Sequence, residues 1–319
     1  MKIGMVGLGR MGGNMTKRLI EGGHQVVVHD RNAEALEAAG KDGAAPCSSL
    51  ADLVEALEPP RAVWVMVPSG APTESTIDEL GGLLAPGDTI IDGGNSHYVE
   101  GLDRGAKLKE RGIAFIDAGT SGGVWGLKEG YCLMVGGDVD AVARLEPIFR
   151  TLAPEDGFAR VGPTGAGHYV KMIHNGIEYG MLQAYAEGFA LLEAAPEFSL
   201  DLHQIADLWR HGSVVRSWLL DLTALALENP DEFNRIKGYV DDSGEGRWTV
   251  QESINRAVAA PVIASSLFAR FSSRDDNKFA ARIVAALRNE FGGHKFFEEA
   301  AAAEVQKTPG DQPVQQVPG

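Results

Sequence analysis

The stretch IGMVGLGRMGGNM near the amino terminus constrains this chain more than any other. Gly7, Gly9 and Gly12 follow the apolar run ending at Val6 in the spacing G-x-G-x-x-G, and the helix-compatible NMTKRLIEGG comes next. A strand, a tight turn and a helix in that order leave the first helical amides without intrahelical partners. Those amides and the positive end of the helix dipole stabilise a pyrophosphate, whereas a Cβ at either of the first two glycines obstructs its approach. The loop of Gly7, Leu8, Gly9, Arg10, Met11 and Gly12 is therefore the candidate phosphate cradle of a dinucleotide cofactor. Asp30 ends the second apolar run, QVVVHD, where its carboxylate accepts from ribose hydroxyls and repels a 2′-phosphate, which favours NAD. Arg31 beside it pairs readily with a 2′-phosphate, so NADP stays open.

The runs KIGMVG, QVVVHD, RAVWVMV, DTIIDGG, IAFIDAG and YCLMVGG read as strands bounded by glycine or aspartate and separated by amphipathic stretches. That is the βαβ rhythm of a parallel sheet. Val67, Pro68 and Asn95 fall at later strand ends, which face a crevice in such a sheet. From Thr164 the pattern turns helical, with helices expected over 165–194, 201–210, 215–228, 250–260 and 278–289. The expected fold class is α/β, a Rossmann-type dinucleotide-binding domain over 1–163 followed by an all-α domain over 164–299. The last segment, 300–319, is rich in proline and glutamine and is expected to be a disordered tail.

With 44 acidic against 29 basic residues the net charge is -15, which disfavours nucleic acid and anionic membrane surfaces as partners. Two cysteines, Cys47 and Cys132, are too few for a disulfide framework and read as free thiols, and no metal-ligand spacing is present. The amino terminus runs straight into a strand with no signal-peptide pattern, and no apolar run spans a membrane, so a cytoplasmic protein is expected.

The stretch GAGHYVKMIHNGIEYG carries the chemistry. At about 100° per residue, Lys171, His174, Asn175, Glu178 and Tyr179 share one arc of a helix, while Met172, Ile173, Ile177 and Met181 lie largely opposite. A solvated helix face is usually built of repeated Glu and Lys; this arc holds a single lysine, a single carboxylate, an imidazole, an amide and a phenol.

GLGRMGGNM, DGGNS, DAGTSGG, GPTGAGHYVKMIHNGIEYG, GEGRWT, FAR and RNEFGGH occur in order along nearly the whole chain. In these stretches the sequence resembles the decarboxylating 6-phosphogluconate dehydrogenases, and its length matches their short subgroup, within the β-hydroxyacid dehydrogenase superfamily. The resemblance implies that Ser121, Gly122 and Gly123 bind substrate near its carboxylate and that Asn95 touches both substrate and nicotinamide. It implies Lys171 as general base and acid, Asn175 and His174 as orienting groups, and Glu178 as second proton donor. Tyr179 and Arg270, with Arg288 and His294 from a neighbouring subunit, would hold the distal phosphate and nearby hydroxyls. The implied assembly is a homo-oligomer, a dimer or tetramer, acting on 6-phosphogluconate.

The sequence departs from that pattern at DDSGEGRWT. Long-chain members usually carry a lysine and a threonine, both phosphate ligands, where this chain has Ser243 and Glu245. A carboxylate there repels a dianion, and Arg247, Arg270, Arg288 and His294 are the candidates to compensate. The alternative is a dehydrogenase of an unphosphorylated 3-hydroxy acid, of the 3-hydroxyisobutyrate type.

Overall fold

The computed structural model describes residues 1–292 and Lys295; His294 and the expected tail over 300–319 lie outside them. The first half alternates β1 (Lys2–Val6), α1 (Arg10–Glu21), β2 (Gln25–His29), α2 (Ala33–Lys41), β3 (Ala45–Pro46), α3 (Leu50–Glu55), β4 (Ala62–Val65) and α4 (Ala71–Leu83). It continues with β5 (Thr89–Asp92), α5 (Tyr98–Glu110), β6 (Ala114–Ser121), α6 (Gly126–Glu129), β7 (Cys132–Gly136), α7 (Val139–Leu152) and β8 (Phe158–Gly162). Among the described residues eight strands form one sheet in the order β3-β2-β1-β4-β5-β6-β7-β8. The order reverses between β1 and β4, and at such a switch point the carboxyl ends of neighbouring strands open a crevice.

Neighbouring residues along each strand point to opposite faces, so the apolar runs supply two cores at once. Met5, Trp64, Ile91 and Ile116 pack with Met15, Leu19 and Phe149 on one face. Val6, Val63, Ile90 and Phe115 pack with Leu53, Ile77 and Leu80 on the other.

The sheet is not wholly parallel, as the rhythm of the sequence suggested: β7 runs antiparallel to β6, pairing Cys132 with Ser121. The connection from Gly122 to Tyr131 holds only a 3-10 turn and the short α6, too little for the crossover that a parallel neighbour needs. The strand β8 escaped the sequence reading because FARVG has no apolar alternation and lies at the sheet edge, largely exposed.

The helical half comprises α8 (Ala166–Glu193), α9 (Leu202–Trp209), α10 (Trp218–Leu227), α11 (Pro230–Phe233), α12 (Glu245–Asn255), α13 (Pro261–Ser272) and α14 (Phe279–Gly292). The helix expected from 215 starts at Trp218, because the Ser217 side chain caps it by accepting from the amide of Leu220. The helix expected over 250–260 instead begins at Glu245, after Gly244 in the left-handed conformation, and ends at Asn255. Ala257 then has φ 54° and Pro261 opens the next helix, so the chain between them cannot stay helical.

The described residues divide into two compact units, one of Met1–Ile236 with Asp241–Ala269, the other of Lys237–Val240 with the described residues from Arg270 onward. The first contains the sheet and α8 to α12. In the second, α14 presents Phe279, Ile283, Val284 and Leu287 with roughly half of each side chain exposed. No helix among the described residues is long and apolar enough to cross a membrane.

Candidate active site

Each glycine of the first turn has its own physical reason. Gly7 adopts φ +94°, and a Cβ there would stand 2.5 Å from the carbonyl oxygen of Met66. A Cβ at Gly12 would stand 2.0 Å from the carbonyl of Gly7, so this position sets the approach of α1 to β1. Gly9 is different: nothing lies within 4 Å of its missing Cβ. It also caps α1 without any side-chain hydrogen bond, and the first turn carries no acidic residue. Unfilled space in front of uncapped helical amides fits a pyrophosphate. At the end of β2, Asp30 accepts from the amide of Leu8 at 2.5 Å and from the amide of Asn32 at 2.7 Å. Its carboxylate is thereby locked beside the turn, and each oxygen keeps a lone pair for a ribose hydroxyl.

A cleft of about 840 Å³ runs along these strand ends. Of the predicted cofactor residues, Gly7, Gly9, Arg10, Met11, Gly12, Asp30, Arg31, Val67, Pro68 and Asn95 line it. Leu8 does not, for its side chain belongs to the core and only its amide serves the site, through Asp30. Ser48 and Ser49 ahead of α3 and Ser75, Thr76 and Glu79 within α4 also line it and were not predicted, since isolated polar residues carry no distinctive sequence signal. Lys171 lines the same cleft, which brings the second half of the chain to the cofactor turn.

Helix α8 crosses the sheet at backbone distance. A Cβ at Gly119 in β6 would meet the Cβ of Lys171 at 2.5 Å, and one at Gly167 would meet the carbonyls of Asp117 and Met134 at 2.3 and 2.5 Å. Fully buried Asp117 holds the start of this helix: its Oδ1 accepts from the amide of Gly165 at 2.6 Å and its Oδ2 from that of His168 at 2.8 Å. It thus satisfies two of the orphan amides that begin any helix. Sequence reasoning missed this role, because DAGTSGG offers no local sign that its aspartate caps a helix far along the chain.

The predicted arc forms a connected group. Nζ of Lys171 donates to Oδ1 of Asn175 at 2.5 Å, and Nδ1 of His174 lies 3.0 Å from that oxygen. An amide oxygen only accepts, so Nδ1 carries the hydrogen and Nε2, 3.2 Å from the Ser121 hydroxyl, is free to accept from it. Glu178 stands with Oε2 4.0 Å from Nδ1 of His174. Burial holds the Lys171 amine below its usual pKa, and the opposing pull of Glu178 and Glu245 offsets part of that. The far side of the arc is less uniform than its periodicity suggests: Met172 is buried, yet Ile177 and Met181 are exposed.

Helix α12 closes the site from the other side. Tyr179 is buried, and its hydroxyl accepts from the amide of Ser243 at 3.2 Å. The carbonyl of Ser243 accepts from Nδ2 of Asn95 at 3.3 Å, which ties the loop after β5 to this segment. A Cβ at Gly176 or Gly246 would collide with Thr249 or Tyr179, so glycine lets the two helices meet closely. Gly122 and Gly123 both take positive φ just past β6, turning the backbone beside Ser121.

The residues expected to hold a phosphate are less uniform. Glu245 is 2% exposed, and burial pushes its carboxyl pKa up to about 7 despite the nearby Lys171 amine. Arg247 forms a two-point ion pair with Asp242, at 2.8 and 3.0 Å. Arg270 and Arg288 belong to the second compact unit, and His294 lies outside the described residues. Among the described residues no cluster of three His, Cys, Asp or Glu is arranged to hold a metal.

The switch-point cleft, the open helix amides and a lysine reaching the same cleft define a dinucleotide-dependent dehydrogenase. Residues 2–162 match the family model described as the NAD binding domain of 6-phosphogluconate dehydrogenase, and residues 167–308 match that of the 6-phosphogluconate dehydrogenase C-terminal domain. The chain belongs to the 6-phosphogluconate dehydrogenase family. It is 48% identical over 294 residues to YqeC of Bacillus subtilis (strain 168), covering 92% of this chain and 98% of that one. It is 43% identical over 297 residues, with coverage of 92% and 98%, to the NAD(+)-dependent, decarboxylating 6-phosphogluconate dehydrogenase of Haloferax volcanii. A 6-phosphogluconate dehydrogenase structure from Plasmodium falciparum superposes with TM-score 0.79 at 26% identity, covering 94% of this chain and 66% of that one. A 3-hydroxyisobutyrate dehydrogenase from Mycobacterium tuberculosis, TM-score 0.69 and 24% identical over 88% of this chain and 94% of that one, shares the fold.

Proposed function

We propose that this protein catalyses the NAD-linked oxidative decarboxylation of 6-phosphogluconate to ribulose 5-phosphate and CO2. The observation that carries the reading is Lys171, a partly desolvated amine on the same cleft as the glycine turn and Asp30. Bound NAD supplies the hydride acceptor. Neutral Lys171 takes the proton of the C3 hydroxyl as the C3 hydride departs; its bond to Asn175 uses one of its hydrogens and leaves its lone pair for that task. The resulting ammonium polarises the new 3-keto oxygen, so loss of CO2 leaves an enediol and not an unstabilised carbanion. Lys171 passes its proton to that oxygen as the enediol forms. Glu178, as the acid, then delivers a proton to C1 while Lys171 takes the enediol O–H proton back, and proton exchange with solvent resets neutral Lys171 and protonated Glu178. Ser121, Gly122, Gly123 and His174 position the carboxylate end, Asn95 bridges substrate and nicotinamide, and Tyr179 supports the sugar hydroxyls.

The distal phosphate is assigned to Arg270 together with Arg288 and His294 of a neighbouring subunit. A homo-oligomer fits the apolar face of α14 left exposed by a single chain. Asp30 favours NAD, since its carboxylate repels a 2′-phosphate.

One observation favours the second reading, oxidation of an unphosphorylated 3-hydroxy acid: Glu245 is buried where the long-chain pattern has a phosphate ligand. The test is to mix the protein with 6-phosphogluconate, gluconate or 3-hydroxyisobutyrate and either NAD or NADP, following reduced cofactor and CO2 together. Reduction with CO2 release from 6-phosphogluconate alone is the expected result; reduction with 3-hydroxyisobutyrate alone selects the second reading.

A further inference from the structure

Glu245 stands in the sequence as an objection, a carboxylate in a phosphate-binding motif. Its surroundings give it another role. It is the first residue of α12, after Gly244, and is 2% exposed. Its electrostatic neighbours are the Lys171 amine and the Glu178 carboxyl, the two groups assigned to proton transfer. The segment just before it is held to the site at two points, by Asn95 through the carbonyl of Ser243 and by Tyr179 through the amide of Ser243. One of its oxygens, Oε2, is buried without a hydrogen-bond partner among the described residues. No hydrogen bond joins it to Lys171, whose Nζ donates instead to Asn175.

A buried polar atom left without a partner costs about 1–3 kcal/mol, a penalty that a ligand removes if it brings the missing donor. The donors available on a sugar acid are hydroxyls. A carboxyl accepts from a hydroxyl whether or not it is itself protonated, whereas a phosphate dianion brings no hydrogen for Oε2 and is repelled by the ionised carboxylate of Glu245. We propose that Glu245 is a specificity residue that accepts a hydrogen bond from a substrate hydroxyl next to the reacting C3 carbon and bars a phosphate from that position. Resting on the functional reading above, this assigns Glu245 to the polyhydroxylated part of the substrate and leaves the phosphate to other residues. It also separates the substrate class from simple 3-hydroxy acids, which have no neighbouring hydroxyl to satisfy Oε2.

The test compares the wild-type full chain with Glu245→Met, which replaces the carboxyl by an apolar group of similar length, and Glu245→Gln, which keeps an acceptor oxygen. KM and kcat are measured with 6-phosphogluconate and with its analogues deoxygenated at C2 or at C4, and NAD affinity and thermal midpoint serve as controls. Glu245→Met is expected to raise KM for 6-phosphogluconate about tenfold or more, with a smaller change in kcat and unchanged NAD affinity. Glu245→Gln should stay within about threefold, because its amide oxygen still accepts. With one of the two deoxy analogues, wild type and Glu245→Met should have the same KM, since the contact is already missing. A KM within twofold of wild type for Glu245→Met, or an equal penalty on all three substrates, overturns the proposal. Should Glu245→Met not fold, Glu245→Thr carries the same comparison. A wild-type protein that oxidises 3-hydroxyisobutyrate but not 6-phosphogluconate overturns the functional reading and this proposal together; an active wild type with an indifferent Glu245 overturns only the latter.

Discussion

Lys171 and Asn175 lie one turn apart on α8, and the lysine Nζ donates to the asparagine Oδ1 across 2.5 Å. The same oxygen faces Nδ1 of His174 at 3.0 Å, so one amide aligns both the amine and the imidazole. Replacing Asn175 by Ala releases both. Loss of a hydrogen bond to a group of this kind is worth about 1–2 kcal/mol, so kcat/KM is expected to fall roughly 5- to 30-fold. Steady-state kinetics at fixed pH check it, and unchanged kinetics would mean that the amine is oriented by something else.

Lys171→Met removes the proposed proton acceptor and leaves the glycine turn intact. Oxidation is expected to drop by about 10²–10⁴-fold while NAD affinity stays within about twofold. With the neutral amine as the proposed base, wild-type kcat/KM should fall as pH drops through the Lys171 pKa, which burial brings below its usual value. A fluorescence titration with NAD alongside initial rates separates binding from chemistry.

Glu178→Gln should leave hydride transfer nearly intact and slow the later delivery of a proton to C1. Single-turnover reduction of NAD is expected within about threefold of wild type, with steady-state turnover reduced about 10²-fold or more. Trapping the released enediol in deuterated water reports the same step at C1. Equal slowing of both phases would place Glu178 before oxidation.

Asp117 holds the amides of Gly165 and His168, so Asp117→Ala leaves two buried donors at the head of α8 unsatisfied. A loss of about 1–3 kcal/mol per unsatisfied group predicts a clear fall in denaturant midpoint. Activity should suffer as well, since Lys171 sits on the same helix. Stability within about 0.5 kcal/mol of wild type, the scatter of a neutral surface change, would refute the capping role.

Glu245 gives an inverted pH signature. Its folded pKa is raised from 4.5 to about 7, so between those values the folded state binds more protons than the unfolded one and the wild type loses stability as pH rises. Glu245→Gln removes the effect. The variant and wild type should unfold alike below pH 4.5, with the gap opening in favour of the variant up to about pH 7, by on the order of 3 kcal/mol at most. A gap that does not change across this range would show that the carboxyl titrates normally.

The turn from Gly7 to Gly12 and the polar arc from Lys171 to Tyr179 were legible in the sequence because each depends on neighbours in the chain. Strand, turn and helix propensities act over a few residues, and a period of 3.6 puts the arc on one face whatever it packs against. The antiparallel β7 was hidden, since an apolar run reads the same in either direction and only the short link from Gly122 to Tyr131 decides its sense. The phosphate roles proposed for Arg288 and His294 depend on a neighbouring subunit, and spacing within one chain does not dictate how two chains meet.

Sequence by itself determined that this chain would carry a dinucleotide turn and a lysine-bearing polar helix, because spacing along the backbone dictates both. Tertiary structure decided that Asp117 caps that helix from 48 residues away, that Asn95 is tied to Ser243, and that Glu245 is buried beside Lys171. Desolvation and long-range hydrogen bonding belong to the surroundings a residue ends up in, and those surroundings come from parts of the chain far removed in sequence.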